Sequence, residues 1–356
     1  MPSPFQTLFE AKQAHFGEGA GFPLDFGEPA AEDLAITGGV GVFDRSAWEV
    51  LLVRGEDAGK FLNGLTTNDV ESLQPGVLGA GLFCSTKGKI LHAVDVVGTR
   101  PDQFLLICEP GDGNSVAGHL ESYHIREAVE IGRVPLVCID VLGPGGETAL
   151  ATLGHSPGEA IGSFHDAPVI AATHPLGALP RKVVLVPEPV AALWLETLLQ
   201  QAPEARLIGS EAYERACIAA GVPRFGVDYG TDNLPAEGAL HDRLCFTKGC
   251  YVGQEVHARL HYRGHVNRKL MALEFPAEQL EALQVGAPLY AEGAEVGTLT
   301  GLASPMAGEG PQGRARGVAM VRHEQAAARA HLSLSPAGPP LVDLHPMATD
   351  LGAERS

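Results

Sequence analysis

No stretch of about 18 apolar residues occurs in this chain, so nothing in it reads as a membrane-spanning helix. The first residues, MPSPFQTLFEAKQ, lack a basic segment followed by an apolar one and do not read as a secretory signal. The six cysteines (Cys84, Cys108, Cys138, Cys217, Cys245 and Cys250) form no C-x-x-C pair. A chain of 356 residues is too long for a disulfide-stapled scaffold, so we read them as reduced thiols of a cytoplasmic protein. An iron–sulfur cluster held by this chain alone is not expected, because Cys245 and Cys250 are too far apart for such a ligand pair. Basic residues are scarce. The 25 Lys and Arg against 43 Asp and Glu give a formal charge of −18, which argues against direct contact with nucleic acid or an anionic membrane. No short-period repeat is visible, and 45% hydrophobic with 19% charged residues is globular composition.

What is present is a dense alternation of short elements. Residues 49–54, 90–97, 103–108, 134–142 and 182–186 read as strands, and 56–65, 113–122, 189–201 and 210–220 as helices. The helix at 189–201 would bury Val190, Leu193, Trp194, Thr197 and Leu198, and Gly221 would stop the helix at 210–220. After Arg268 the chain breaks into strand-like pieces at 269–275, 288–290, 295–302, 316–321 and 330–334, the pattern of a small antiparallel β-domain or barrel. Residues 337–356 read as a loose tail. The order of elements suits α+β units better than a doubly wound sheet.

One segment carries chemistry: FTKGCYVGQEVHARLHYRGHVNRKL, residues 246–270. QEVHARL is helix-forming, so Cys250 would stand just before or at a helix N-terminus. That position and Lys248 would both favour a thiolate; the competing reading is a small buried cysteine. His257, His261 and His265 share helical spacing, but Gly264 would end the helix first, and no metal site is expected.

The spacing of Lys248, Gly249, Cys250, Tyr251, Gly253, Gln254, Glu255, Ala258, Arg259, Tyr262 and Gly264 resembles the signature of the YgfZ family, K-G-C-aromatic-x-G-Q-E followed by A-R and aromatic-x-G. A wider resemblance, through residues 41–70, 85–97 and 214–240, is to the T-protein of the glycine cleavage system. It implies a three-domain ring around a folate-binding hole. A first α+β domain would take residues 1–50 plus 115–207, and a second, interleaved with it, 51–114 plus 208–262. A β-barrel at 263–336 and the tail at 337–356 would follow. It also implies a tetrahydrofolate or one-carbon ligand and support for assembly, repair or maintenance of iron–sulfur enzymes, some of which modify tRNA. Iron–sulfur enzymes or assembly proteins would be the partners.

Within that resemblance Cys250 is the working thiol and Lys248 its tuning group. Gly249 and Gly253 would permit close approach of a folate or partner, and Gln254, Glu255 and Arg259 would shape the site. A flat, polar-edged pterin suits an aromatic wall, for which Trp48 and Tyr213 are candidates, though Trp48 could equally be a core aromatic and Tyr213 reads more readily as one. Arg259, Arg263 or Lys248 would meet the folate carboxylates. The resemblance breaks at one place. Where the T-protein carries an acidic pair that assists aminomethyl transfer, this chain has His92 and Ala93, and Asp95 is out of register. Thr173 to Arg181, where the T-protein supplies a pterin-binding glutamate, holds no acid. Aminomethyl transfer of the T-protein type is therefore the alternative reading. A folate-sensing interaction module without chemistry is a third.

Overall fold

The computed structural model describes residues 3–17, 22–156, 158–174, 176–307 and 314–350. Two compact units emerge: residues 1–83 with 92–213, and residues 84–91 with 214–356.

The first unit holds two sheets. One runs in the order Ile161–Phe164, Ala167–Thr173, Arg181–Pro187, Leu136–Leu142, Val40–Asp44 and Ala205–Ile208. All its neighbours are antiparallel except the last pair. Its central strands are buried on both faces, which their nearly unbroken apolar runs reflect. Val137, Ile139, Val141, Val184 and Val186 face one side, and there they meet Trp194, Leu195 and Leu198 of helix Glu188–Gln201. Cys138, Val183 and Leu185 face the other, against Val50, Val97, Leu105 and Ile107 of the second sheet. The two-residue alternation of a strand thus divides one sequence between two cores. On the helix the buried stripe is Ala191, Trp194, Leu195 and Leu198, while the expected Leu193 is 48% exposed.

The second sheet is ordered Leu78–Cys84, Ile90–Arg100, Gln103–Cys108, Glu49–Arg54 and Glu130–Arg133. Helix Gly113–Tyr123 packs on its strands Glu49–Arg54 and Glu130–Arg133. The chain rejoins the first sheet at Leu136 rather than at the expected residue 115.

The second unit contains a closed six-stranded barrel, ordered Arg268–Phe275, Ala315–Arg322, Ala294–Ala303, Pro288–Ala291, Leu332–Ser333 and Pro340–Pro346. Met271, Leu273, Phe275, Leu289, Val296, Leu299, Val321 and Leu344 fill it. The expected loose tail is corrected here. Pro340–Pro346 pairs with both Leu332–Ser333 and Arg268–Phe275 and closes the barrel. Val342 and Leu344 are buried while Asp343 and His345 are not, so the strand alternation was present. Prolines at its two ends disguised it, yet a strand tolerates proline at its first residue. Residues 351–356 of the expected tail lie outside the described residues. Mixed α and β units with an antiparallel barrel agree with the expected α+β class. No helix among the described residues is long and apolar enough to cross a membrane.

Candidate functional site

The signature segment lies in the second unit and is built around helix Gln254–Arg263. Gly253 is its N-cap at φ 86°, a left-handed conformation that suits glycine. A Cβ there would stand 2.7 Å from the Ser85 carbonyl oxygen and 3.2 Å from Gly88 Cα. Gly253 thus admits the turn at residues 84–91. Gly249 differs, for nothing lies within 4 Å of the place its Cβ would take. Gly264 caps the other end, its N–H donating to Leu260 at 3.3 Å.

The turn and the helix are joined by His257, which is 3% exposed. Its Nε2 lies 2.9 Å from the Gly88 carbonyl, and its Nδ1 lies 3.3 Å from the Tyr251 hydroxyl. A carbonyl only accepts, so Nε2 carries the proton and Nδ1 accepts from tyrosine. Burial holds this imidazole below its usual pKa, with the Gly88 hydrogen bond opposing. Burial likewise raises the Tyr251 phenol, which stays protonated and keeps donating. The Lys248 ammonium lies 5.0 Å from the centre of the Tyr251 ring, a cation–π contact. Tyr251 is therefore held from both sides.

Cys250 stands beside this braced tyrosine and is exposed. It precedes the N-cap Gly253 by three residues, outside the first helical turn over which the dipole acts. Exposure is what separates it from the other cysteines. Cys84, Cys108, Cys138 and Cys217 are buried and Cys245 is half-buried. Burial pushes the thiols of Cys84, Cys108 and Cys138 up to about 12. On the helix, Glu255, Arg259 and Arg263 are exposed and Gln254 is partly so. The three spaced histidines part company. His257 is engaged as above, His261 stacks on Phe246 at 4.1 Å, and His265 stacks on His323 at 4.2 Å.

Trp48 and Tyr213 belong to the first unit. The Trp48 indole N–H donates to Glu109 at 3.1 Å, and the Arg45 guanidinium lies 4.8 Å from its ring centre. Tyr213 stacks on Phe43 at 4.2 Å and donates its hydroxyl to Asp140 at 3.0 Å. Asp140 is wholly buried and also meets Arg45 at 3.3 Å and Arg181 at 3.0 Å. Asp95 joins the same two arginines at 3.6 and 3.5 Å. Asp95 is thus an ion-pair partner inside a buried network, where breaking one member leaves an uncompensated charge. Sequence reasoning missed Asp140 and Arg181, which sit inside strands that read as plain apolar runs. It also missed that His92 Nδ1 lies 2.7 Å from the Asp112 carboxylate.

Comparison with known proteins agrees with this anatomy. Residues 5–165 match the model of the GCVT N-terminal domain. The fold is similar to that of glycine cleavage system aminomethyltransferase T from Bartonella henselae, with a TM-score of 0.83 over 98% of each chain at 19% identity. The protein thus has the T-protein type of fold. By sequence it is 30% identical over 247 residues to a Homo sapiens protein named iron-sulfur cluster assembly factor IBA57, mitochondrial, covering 64% of each chain. That is a little under two thirds of the human protein's length. It is 28% identical over 236 residues to the tRNA-modifying protein YgfZ of Sodalis glossinidius, covering 63% of this chain and 68% of that one. With the signature complete around Cys250, these likenesses fit a YgfZ-like chain that resembles the T-protein.

Proposed function

We propose that this chain is a folate-binding factor supporting the assembly or repair of iron–sulfur enzymes, with Cys250 as its working thiol. The observation that carries the reading is an exposed cysteine at the edge of a rigid frame. Tyr251, His257, Gly253 and the turn at Gly88 fix the backbone on one side, while Gly249 leaves open space on the other. One thiolate, its proton given up to solvent, supplies one bond to iron. The remaining ligands of a cluster, which is cargo here, come from the partner. The names borne by the human and Sodalis relatives support iron–sulfur and tRNA-modifying enzymes as the field of action.

Reduced folate is the small-molecule ligand in this reading, with Trp48 as the aromatic wall. Aminomethyl transfer of the T-protein type is disfavoured because His92 and Ala93 stand where acids would be needed. A positioned acid or base contributes about a hundred- to ten-thousand-fold in rate.

The test is to express the chain in cells lacking their own YgfZ-like factor and to assay an iron–sulfur tRNA-modifying enzyme. Wild type and Cys245→Ala restore its activity, and Cys250→Ala does not. Equal rescue by Cys250→Ala, at equal protein level, sinks the thiol reading. Folate is tested separately in a Trp194→Phe background, where tetrahydrofolate changes Trp48 emission.

A further inference from the structure

The signature segment has the opposite charge balance from the chain around it. Residues 246–270 carry five basic side chains and one acidic, Glu255, which leaves 20 basic and 42 acidic residues for all the rest. Two of the five are engaged within the fold, since Arg268 pairs with Glu237 and Lys269 with Asp350. Arg259 and Arg263 are exposed and make no ion pair among the described residues. They stand four apart on helix Gln254–Arg263 and so lie on one face. Tyr262, three past Arg259, borders that face and is 67% exposed.

The loop before the helix runs back along it. Phe246 sits beside the last turn, stacked on His261 at 4.1 Å with the Tyr262 ring at 6.1 Å. Lys248 lies over Tyr251, ahead of the first turn, and the exposed Cys250 adjoins that tyrosine. The turn held by His257 brings the exposed Lys87, next to Gly88, to the same end of the helix. The result is a strip about 14 Å long, the rise of the helix at 1.5 Å per residue. Phe246 and Tyr262 mark one end, Cys250 with two lysines the other, and Arg259 and Arg263 stand along it. An extended peptide of about four residues spans that length.

We propose that this strip docks an extended acidic segment of the protein whose iron meets Cys250, with carboxylates on Arg259 and Arg263 and an apolar side chain against Phe246 and Tyr262. The inference rests on the reading of Cys250 as the working thiol and adds the chemistry of its partner. Charge complementarity carries the choice. The rest of the chain repels an acidic partner and this strip attracts it, so the field orients the encounter toward the thiol. Nucleic acid fits less well. Phe246 already has its stacking partner in His261, and two unpaired arginines neutralise few phosphates where tight binding commonly takes about six to ten.

The experiment uses the full chain with Cys245→Ala and two short peptides of equal length. One alternates Glu with Phe and Leu, the other has Lys in place of Glu, and each ends in a cysteine activated as its 2-pyridyl disulfide. The Cys250 thiolate displaces thiopyridone, whose absorbance gives the rate of capture. The acidic peptide should be captured about tenfold faster at low salt, although a net charge of −18 favours the reverse, and high salt should bring the two rates together. Arg259→Gln with Arg263→Gln should remove most of that preference, and Glu255→Gln should increase it. Tyr262→Ala should slow both peptides alike. Equal rates, or faster capture of the basic peptide, overturn the proposal, as does a preference that survives the double arginine variant or capture that Tyr262→Ala leaves unchanged. In each of those cases a thiol that still reacts with 2-hydroxyethyl 2-pyridyl disulfide leaves the reading of Cys250 standing. A Cys250 inert to that neutral reagent and to both peptides overturns the thiol reading and this proposal together. Fluorescence anisotropy of a labelled transfer RNA covers the other polymer: binding tighter than that of the acidic peptide, and lost in the double arginine variant, assigns the strip to nucleic acid and overturns the proposal.

Discussion

His257 on the signature helix donates Nε2–H to the carbonyl of Gly88, 169 positions earlier in the chain, at 2.9 Å. Gly88 has φ 75°, and a Cβ on it would lie 3.1 Å from that same Nε2. The signature's second glycine faces the turn from the other side, with its missing Cβ against Ser85. The two glycines and the histidine are one packing unit, and that unit sets where Cys250 emerges.

Gly253→Ala should therefore cost about 1–3 kcal/mol, from a left-handed backbone and a clash with the Ser85 carbonyl. Gly249→Ala should lie within about 0.5 kcal/mol of wild type, as a surface change does. Urea midpoints of the two variants check this, and equal effects would contradict the packing argument.

Cys250 should be the fastest of the six cysteines to react with iodoacetamide at pH 7. Cys245, half-buried and 3.5 Å from the Thr247 hydroxyl, should follow, and Cys84, Cys108 and Cys138 should stay unmodified in the native protein. Time-resolved peptide mass spectrometry reads the order. Slow labelling of Cys250 would remove it as the working thiol.

Stability should fall as pH drops from 7.5 to 5.5. Burial holds His155 and His257 below the usual value of 6.5. The unfolded chain then takes up protons that the folded chain refuses, so their stabilising share is complete above about pH 6.5 and is lost below it. Among the described residues neither ring nitrogen of His155 has a partner. His155→Leu should flatten the pH dependence by up to about 1.4 kcal/mol per pH unit without loss of stability at pH 7.5. Denaturation at both pH values decides it.

Leu344→Ala should destabilise the barrel by about 2–5 kcal/mol, since it empties a filled core position on the closing strand. Asp343→Ala, on the outward side of that strand, removes pairings with Arg314 and His331 at sites where both partners are partly exposed, and should cost under about 1 kcal/mol. Hydrogen exchange on strand Arg268–Phe275 distinguishes them.

The elements that sequence showed best were those whose pattern had one cause. Helix Ser210–Ala219 begins at its cap and stops just short of Gly221, and strand Gln103–Cys108 was read to the residue. The signature segment was legible because its residues serve one local structure and lie within 17 positions of one another, from Lys248 to Gly264. Pairing across long separations was not legible. Asp112 is 20 residues from His92, and Asp140 is 95 from Arg45; no spacing rule announces either. Asp95 looked out of register for chemistry because its partners are two arginines from elsewhere in the unit. Strand Pro340–Pro346 hid behind its prolines, where alternation over few residues weighed less than breakers.

The last strand of the barrel is also the last to be synthesised. Arg268–Phe275 must wait for residues 340–346 before its open edge is paired, so the ring of hydrogen bonds cannot close until those residues have left the ribosome. Until then Leu273 and Phe275 have no complete interior to enter, and the unpaired edge is a surface for chaperones or for misassembly. A truncation before Pro340 would remove the whole closing strand. Its effect would fall on the folding of the unit that carries Cys250, although the thiol lies 90 residues upstream of Pro340.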